Sequence, residues 1–221
     1  LARYAREKTG SKNLCISGGV GLNSVANYRV LMERVFDDVF INPAASDTGI
    51  PLGAALYGFH EVVAQPKTYV EISPYLGPRY DESRIRKAVE AHSGYVVETE
   101  GAFEKAAALL ASNKILGHFQ GRSEMGPRAL GNRSILMSPL VAENKDILNA
   151  RVKFREAFRP FAPAILAQYT EEYFVIDRPS PYMLFVPQVR AGKEKVIPAV
   201  THVDGTGRLQ TVTPEFNPDF Y

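Results

Sequence analysis

The sequence predicts an α/β fold over residues 1–65 and an α+β fold over residues 81–221, with residues 66–80 joining them. Three observations carry this. The first part repeats strand, turn and helix, the grammar of a parallel sheet covered by helices. The join is broken by Pro66, Pro74, Gly77 and Pro78. Beyond Ser134 the pattern becomes rich in short strands, at 134–137, 164–166, 183–189 and 209–212.

In chain order, residues 2–8 read as a helix that Gly10 stops. Residues 13–17 read as a buried strand, with Cys15 as a small core residue, and Gly18-Gly19 turn the chain into a helix over 22–35. A strand at 38–41 leads through Asn42-Pro43-Ala44-Ala45-Ser46-Asp47 into a helix over 49–64, where Pro51 suits the first turn. Asp81 caps a helix that runs to His92, residues 102–112 form an alanine-rich helix, and 95–97 and 114–119 read as strands. A helix over 143–152 interrupts the strand-rich end.

Composition excludes little and biases nothing: 45% hydrophobic, 23% charged, net charge +2 and pI ≈ 8.6. Such a mild charge announces neither a nucleic acid nor a membrane. A lone cysteine allows no internal disulfide, no apolar run spans a bilayer, and the cytoplasm is the default location. The chain starts at Leu1 and stops at Tyr221 with no closing element, and is read as a piece of a longer protein.

Two turns in the first part suggest ligands. Ser17-Gly18-Gly19-Val20-Gly21-Leu22-Asn23 lies between a strand and a helix, where bare N–H groups and a helix N-terminus favour a phosphate. It is neither a P-loop nor a dinucleotide fingerprint, and a plain tight turn is an equal reading. Pro43-Ala44-Ala45-Ser46-Asp47-Thr48-Gly49 places a carboxylate at a second such junction, to cap a helix or to hold a cation.

The second part concentrates arginine. Gln120-Gly121-Arg122-Ser123-Glu124-Met125-Gly126-Pro127-Arg128-Ala129-Leu130-Gly131-Asn132-Arg133-Ser134 sets three guanidinium forks (Arg122, Arg128, Arg133) among glycines, a pattern suited to a small anion. The alternative is a solvated loop with Glu124 paired to an arginine. In Arg151-Val152-Lys153-Phe154-Arg155-Glu156-Ala157-Phe158-Arg159-Pro160-Phe161-Ala162-Pro163, inward-packing Phe154, Phe158 and Phe161 would fix Lys153 and Arg159. The same interleaving could stack single-stranded RNA, though the compact clusters fit a small polyanion better. Around Gly205, His202 and Asp204 form either an acid–base pair or a hydrogen-bonded turn, with Arg208 close by.

Taken together, these motifs resemble the carbamoyltransferases that decorate antibiotics and nodulation factors. The runs Gly126-Pro127-Arg128-Ala129-Leu130-Gly131-Asn132-Arg133-Ser134 and Phe158-Arg159-Pro160-Phe161-Ala162-Pro163 are the most specific, and the resemblance covers nearly the whole chain. It implies the end of an actin-like ATPase domain over 1–65, a linker over 66–80, and over 81–221 a domain similar to threonylcarbamoyl-adenylate synthase, incomplete at its C-terminal end. It implies that carbamoyl phosphate and ATP give carbamoyl adenylate, whose carbamoyl group passes to the hydroxyl of a small-molecule acceptor. Arg128, Lys153, Arg159 and Arg208 would hold carbamoyl phosphate and the adenylate. Gly18, Gly19 and Asn23 would lie at a nucleotide, and Asp47 would bind a divalent metal, Mg or, in the full-length protein, Fe(II). The family's His-x-x-x-His metal pair has no counterpart in this sequence. A homodimer is compatible with this reading, a membrane partner is not, and nucleic acid is disfavoured. A hydrogenase-maturation type carbamoyltransferase, the runner-up, would need zinc-finger cysteines and an acylphosphatase-like region that this sequence lacks.

Overall fold

The computed structural model describes residues 1–68, 73–92, 94 and 100–221. The strand expected at 95–97 lies outside the described residues. The first part follows its local signals closely. Helix α1 (Ala2–Thr9) ends at Gly10, whose φ of 65° lets its N–H return to the Arg6 carbonyl. Strand β1 (Asn13–Ile16) leads through a single 3-10 turn into α2 (Ser24–Met32), capped by the Asn23 side chain on the Ala26 N–H at 3.1 Å. Strand β2 (Asp38–Ile41) pairs with β1 in parallel, Asn13 opposite Asp38 and Ile16 opposite Ile41. Helix α3 (Ile50–Tyr57) carries Pro51 in its first turn and runs on into a π-helical turn, Gly58–Val62.

Successive residues of β1 face opposite ways, which overturns the buried position expected for Cys15. Leu14 and Ile16 pack against the core while Cys15 is exposed.

In the second part α4 (Glu82–Glu90) is capped by Asp81, which accepts the Arg84 N–H at 2.9 Å, and α5 (Ala102–Ala111) follows Gly101. Strands β3 (Leu116–Phe119) and β4 (Arg133–Leu136) pair antiparallel across the long arginine-bearing loop. Helix α6 (Asn144–Leu148) passes into a π turn, Asn149–Lys153. Strand β5 (Ala164–Leu166), helix α7 (Thr170–Tyr173) and strand β6 (Gln210–Val212) complete the order, with β5 and β6 parallel.

The strand expected at 183–189 does not form. Phe174–Val189 and Gln188–Thr206 are isolated bridges. Pro181 and Pro187 withhold ladder donors, and Met183 sits at φ 57°, off the extended region. The segment is nonetheless buried at Met183, Leu184, Phe185 and Val186.

The result is a mixed α/β fold with three two-stranded sheets among the described residues. One core runs through it: Leu31, Phe36, Val39 and Ile41 cluster with Phe174, Ile176, Leu184, Phe185 and Leu209. Polar ties cross the same seam. Buried Asn27 donates to the carbonyls of Gly21 and Leu184 at 2.8 and 3.2 Å, and the Tyr28 hydroxyl donates to the Val175 carbonyl at 2.6 Å. Both ends of the chain therefore position the loops between them. No helix among the described residues is long and apolar enough to cross a membrane.

Candidate anion site

The glycine turn and the aspartate turn are packed together. A Cβ on Gly21 would lie 2.8 Å from the Ala45 Cβ, so only glycine permits this approach. Gly18, at φ 84°, and Gly19 face open space. Asn23 spends its side-chain oxygen on capping α2. Asp47 is exposed at the start of a 3-10 turn, Asp47–Gly49. Among the described residues no group of three or more His, Cys, Asp or Glu could hold a metal ion. One exposed carboxylate is too small a donor set for a transition-metal centre.

The arginine loop lands on both turns. At Gly126 (φ 88°) a Cβ would lie 2.7 Å from the Pro43 carbonyl oxygen. Two residues on, Arg128 Nη2 donates to the Leu22 carbonyl at 3.2 Å, inside the glycine turn. Glu124 shapes the loop from within. It is buried, and its Oε1 accepts the N–H groups of Leu130, Asn132 and Arg133 at 2.7, 2.7 and 3.1 Å. The alternative that pairs Glu124 with an arginine is thus replaced by a carboxylate seated in a nest of backbone donors. A second layer holds the Leu130 carbonyl, which receives the Tyr75 hydroxyl and Gln210 Nε2, each at 2.8 Å. Asn217 Nδ2 ties Tyr75 to Asn132 at 3.0 and 2.8 Å. Burial pushes the Tyr75 phenol up to about 12, so it stays a donor.

Arg208 faces two further arginines, Arg128 and Arg155. Burial first, then the charges of Arg128 and Arg155, push Arg208 down to about 10. Burial also lowers Arg128, and Arg155 is lowered by burial and then by Arg159, against the opposing charge of Glu156. The Nε atoms of Arg128 and Arg208 are buried without a partner, and none of the three arginines forms an ion pair among the described residues. Partly desolvated like charges without an ion-pair partner are an arrangement that can receive an anion, and Glu156 is the one opposing charge acting on Arg155 among the described residues.

Of the four cations expected at this site, Arg128 and Arg208 come together, and the third member is Arg155. Its Nε donates to the Asn149 Oδ1 at 2.7 Å, and its guanidinium carbon lies 4.7 Å from the centre of the Phe161 ring. Arg159 is exposed beside it and paired with Glu156 at 2.8 Å, and Lys153 is exposed at the end of the π turn. Only Phe161 of the three phenylalanines expected to pack inward does so. Phe154 and Phe158 are 83% and 79% exposed. The loop is anchored instead by Asn149, fully buried, which donates to the carbonyls of Ala157 and Arg159 at 3.4 and 2.9 Å. Phe161 also lines a cavity of about 710 Å³ whose walls include Ile135, Leu148, Ile165 and Tyr173.

His202 and Asp204 do not touch directly. Thr206 Oγ1 lies 2.7 Å from Asp204 Oδ1 and 3.1 Å from His202 Nδ1. The carboxylate can only accept, so the threonine gives it its proton and receives the Nδ1–H of a neutral imidazole. Burial lowers the His202 pKa against the pull of Asp204, and Arg208 lowers it further.

Two family patterns cover this architecture. One described as "Carbamoyltransferase C-terminus" matches residues 107–221, and one described as "Carbamoyltransferase N-terminus" matches residues 2–56. The chain belongs to the carbamoyltransferase family. All three clustered arginines lie within the C-terminal carbamoyltransferase pattern, and the glycine turn and Asp47 lie within the N-terminal one. Among its relatives is "Nodulation protein NolO" of Bradyrhizobium diazoefficiens, 43% identical across 99% of this chain and 41% of that protein. "Uncharacterized protein sll1178" of Synechocystis is 42% identical across 100% of this chain and 40% of its own length. "Nodulation protein U" of Sinorhizobium fredii is 41% identical across 92% and 35%. This carbamoyltransferase chain spans about two fifths of the length of the first two of these relatives.

Proposed function

We propose that this chain carries the activating half of an ATP-dependent carbamoyl transfer to a hydroxyl group. The observation that carries the proposal is the cluster of Arg128, Arg155 and Arg208, in which the Nε atoms of Arg128 and Arg208 are buried without a partner among the described residues. Carbamoyl phosphate and ATP are both polyanions, and their mutual repulsion is the main obstacle to their meeting. Three partly desolvated guanidinium groups offset that repulsion and stabilise negative charge developing on the phosphates. In the proposed sequence, water cleaves carbamoyl phosphate to carbamate and phosphate. A carbamate oxygen then attacks the α-phosphorus of ATP, forming the O–P bond of carbamoyl adenylate as the bond to pyrophosphate breaks. Lys153 and Arg159 join the polyanions from the exposed loop.

In this reading residues 81–221 form the adenylate-making unit, similar to threonylcarbamoyl-adenylate synthase, and residues 1–65 the end of an actin-like ATPase unit. Gly18 and Gly19 serve a nucleotide there, with Asn23 shaping the turn. Family membership and the contact of Arg128 with Leu22 support a functional link between the two units. Exchange of labelled pyrophosphate into ATP by the full-length protein tests the proposal. Exchange should require carbamoyl phosphate but no acceptor, should be lost in Arg208→Ala and Arg159→Ala, and should survive in Asp47→Ala. Exchange independent of carbamoyl phosphate, or equal loss in all three variants, would remove the assignment.

A further inference from the structure

Phe154 and Phe158 stand out in water on the loop that delivers Arg155, 83% and 79% exposed. They are not exposed through looseness, because Asn149 ties that loop down at Arg155, Ala157 and Arg159. Phe154 also holds φ 48° and ψ 53°, a left-handed conformation that aromatic residues rarely adopt, directly after a π-helical turn. A rigid scaffold thus keeps two large apolar rings in solvent, beside cations, at the cost of backbone strain.

We propose that Phe154 and Phe158 form a stacking surface for the flat base of the adenine nucleotide whose phosphates the arginines take. This rests on the reading above that the cluster binds a nucleotide. The charge pattern favours that occupant. Arg155 lies between the two rings in sequence and turns inward onto Phe161, where it faces Arg208, while Lys153 and Arg159, the latter paired with Glu156, remain exposed on the same loop, which keeps a net positive charge. A ligand with a polyanionic end and a planar, weakly polar end matches that division. A purine offers its π face to an aromatic ring, and a cation beside the ring adds to the attraction.

The test compares ATP with tripolyphosphate, which has the charge and lacks the base. The chain contains no tryptophan, so Phe158→Trp supplies the one indole fluorophore of this chain, excited apart from its tyrosines. ATP should quench it, and tripolyphosphate should not. In calorimetric titrations the parent should prefer ATP, and the double variant Phe154→Leu/Phe158→Leu should lose roughly 5- to 100-fold in ATP affinity, the range expected for stacking one base. Its tripolyphosphate affinity and its Tm should stay unchanged. Equal affinities for the two ligands in the parent, or an ATP preference that survives the double substitution, overturns the stacking surface and leaves the anion site standing. Binding of neither ligand overturns both. Single-stranded oligoadenylate bound far more tightly than ATP, with a steep salt dependence, overturns the single-nucleotide assignment in favour of RNA.

Discussion

Replacing Arg208 by methionine should make the unliganded protein more stable and blind to anions. The guanidinium sits at about 10 because it is largely removed from water and faces Arg128 and Arg155. That depression from the ordinary arginine range, at about 1.4 kcal/mol for each tenfold change in proton affinity, is a penalty of order 3 kcal/mol for keeping the charge. Solvent still reaches part of the side chain, so the recoverable share is about 1–2 kcal/mol. Methionine keeps an apolar stem that reaches about as far as the arginine Nε while removing the charge and the buried, unpartnered Nε. For a chain of this size the gain corresponds to about 2–8 °C in Tm. Pyrophosphate at about 100 times its Kd should stabilise the parent by about 2.7 kcal/mol and leave the variant unmoved. Thermal unfolding with and without pyrophosphate reads both effects. A variant less stable than the parent, in a protein whose Tm pyrophosphate does not move, refutes the reasoning.

Other substitutions probe the scaffold around the cluster. A Cβ at Gly131, where φ is 108°, would lie 2.5 Å from the Phe220 ring, so Gly131→Ala should cost about 2–4 kcal/mol in urea unfolding. The cost should shrink in a Phe220→Ala background, and an unchanged cost would show that the clash is not its source. Glu124→Gln keeps one acceptor oxygen for three N–H groups but loses the charge and buries an amide NH₂ where Oε2 has no partner. A loss of about 2 kcal/mol, with weaker pyrophosphate binding, is expected, and parent-like values for both would dismiss the carboxylate as the loop's anchor. His202 is held below its ordinary value of 6.5, mainly by burial. Its contribution to stability is complete above that pH. It declines as pH falls toward the lowered folded value, because the unfolded chain takes up the proton first. Unfolding titrations at about pH 7.5 and 5.5 should therefore show a smaller loss in His202→Gln than in the parent.

Much of the local structure was legible because it is written in residues that act on their immediate neighbours. Gly10 stops α1 and Asp81 starts α4 through contacts within one turn, and the pairing of β1 with β2 follows from two short apolar runs joined by a helix. Arg128 was legible as a candidate anion ligand because arginines framed by glycines suit a small anion, while Arg208 entered as a candidate through the family resemblance. The remainder depended on segments far apart in sequence. Arg155 joins the cluster only because buried Asn149 and the Phe161 ring aim it there, and no spacing marks Asn149 as the anchor. The exposure of Phe154 goes with its left-handed conformation after the π turn, which the alternation of charge and aromatics did not foretell. Contact between Arg128 and the Leu22 carbonyl spans 106 residues and exists because the core joins Leu31, Val39 and Ile41 to Phe174, Leu184 and Leu209. Dihedral preference and capping are local energies that the sequence alone determines. Which charged groups are brought together, desolvated and left without ion-pair partners is decided by packing across the whole chain, and so only the tertiary structure could decide it.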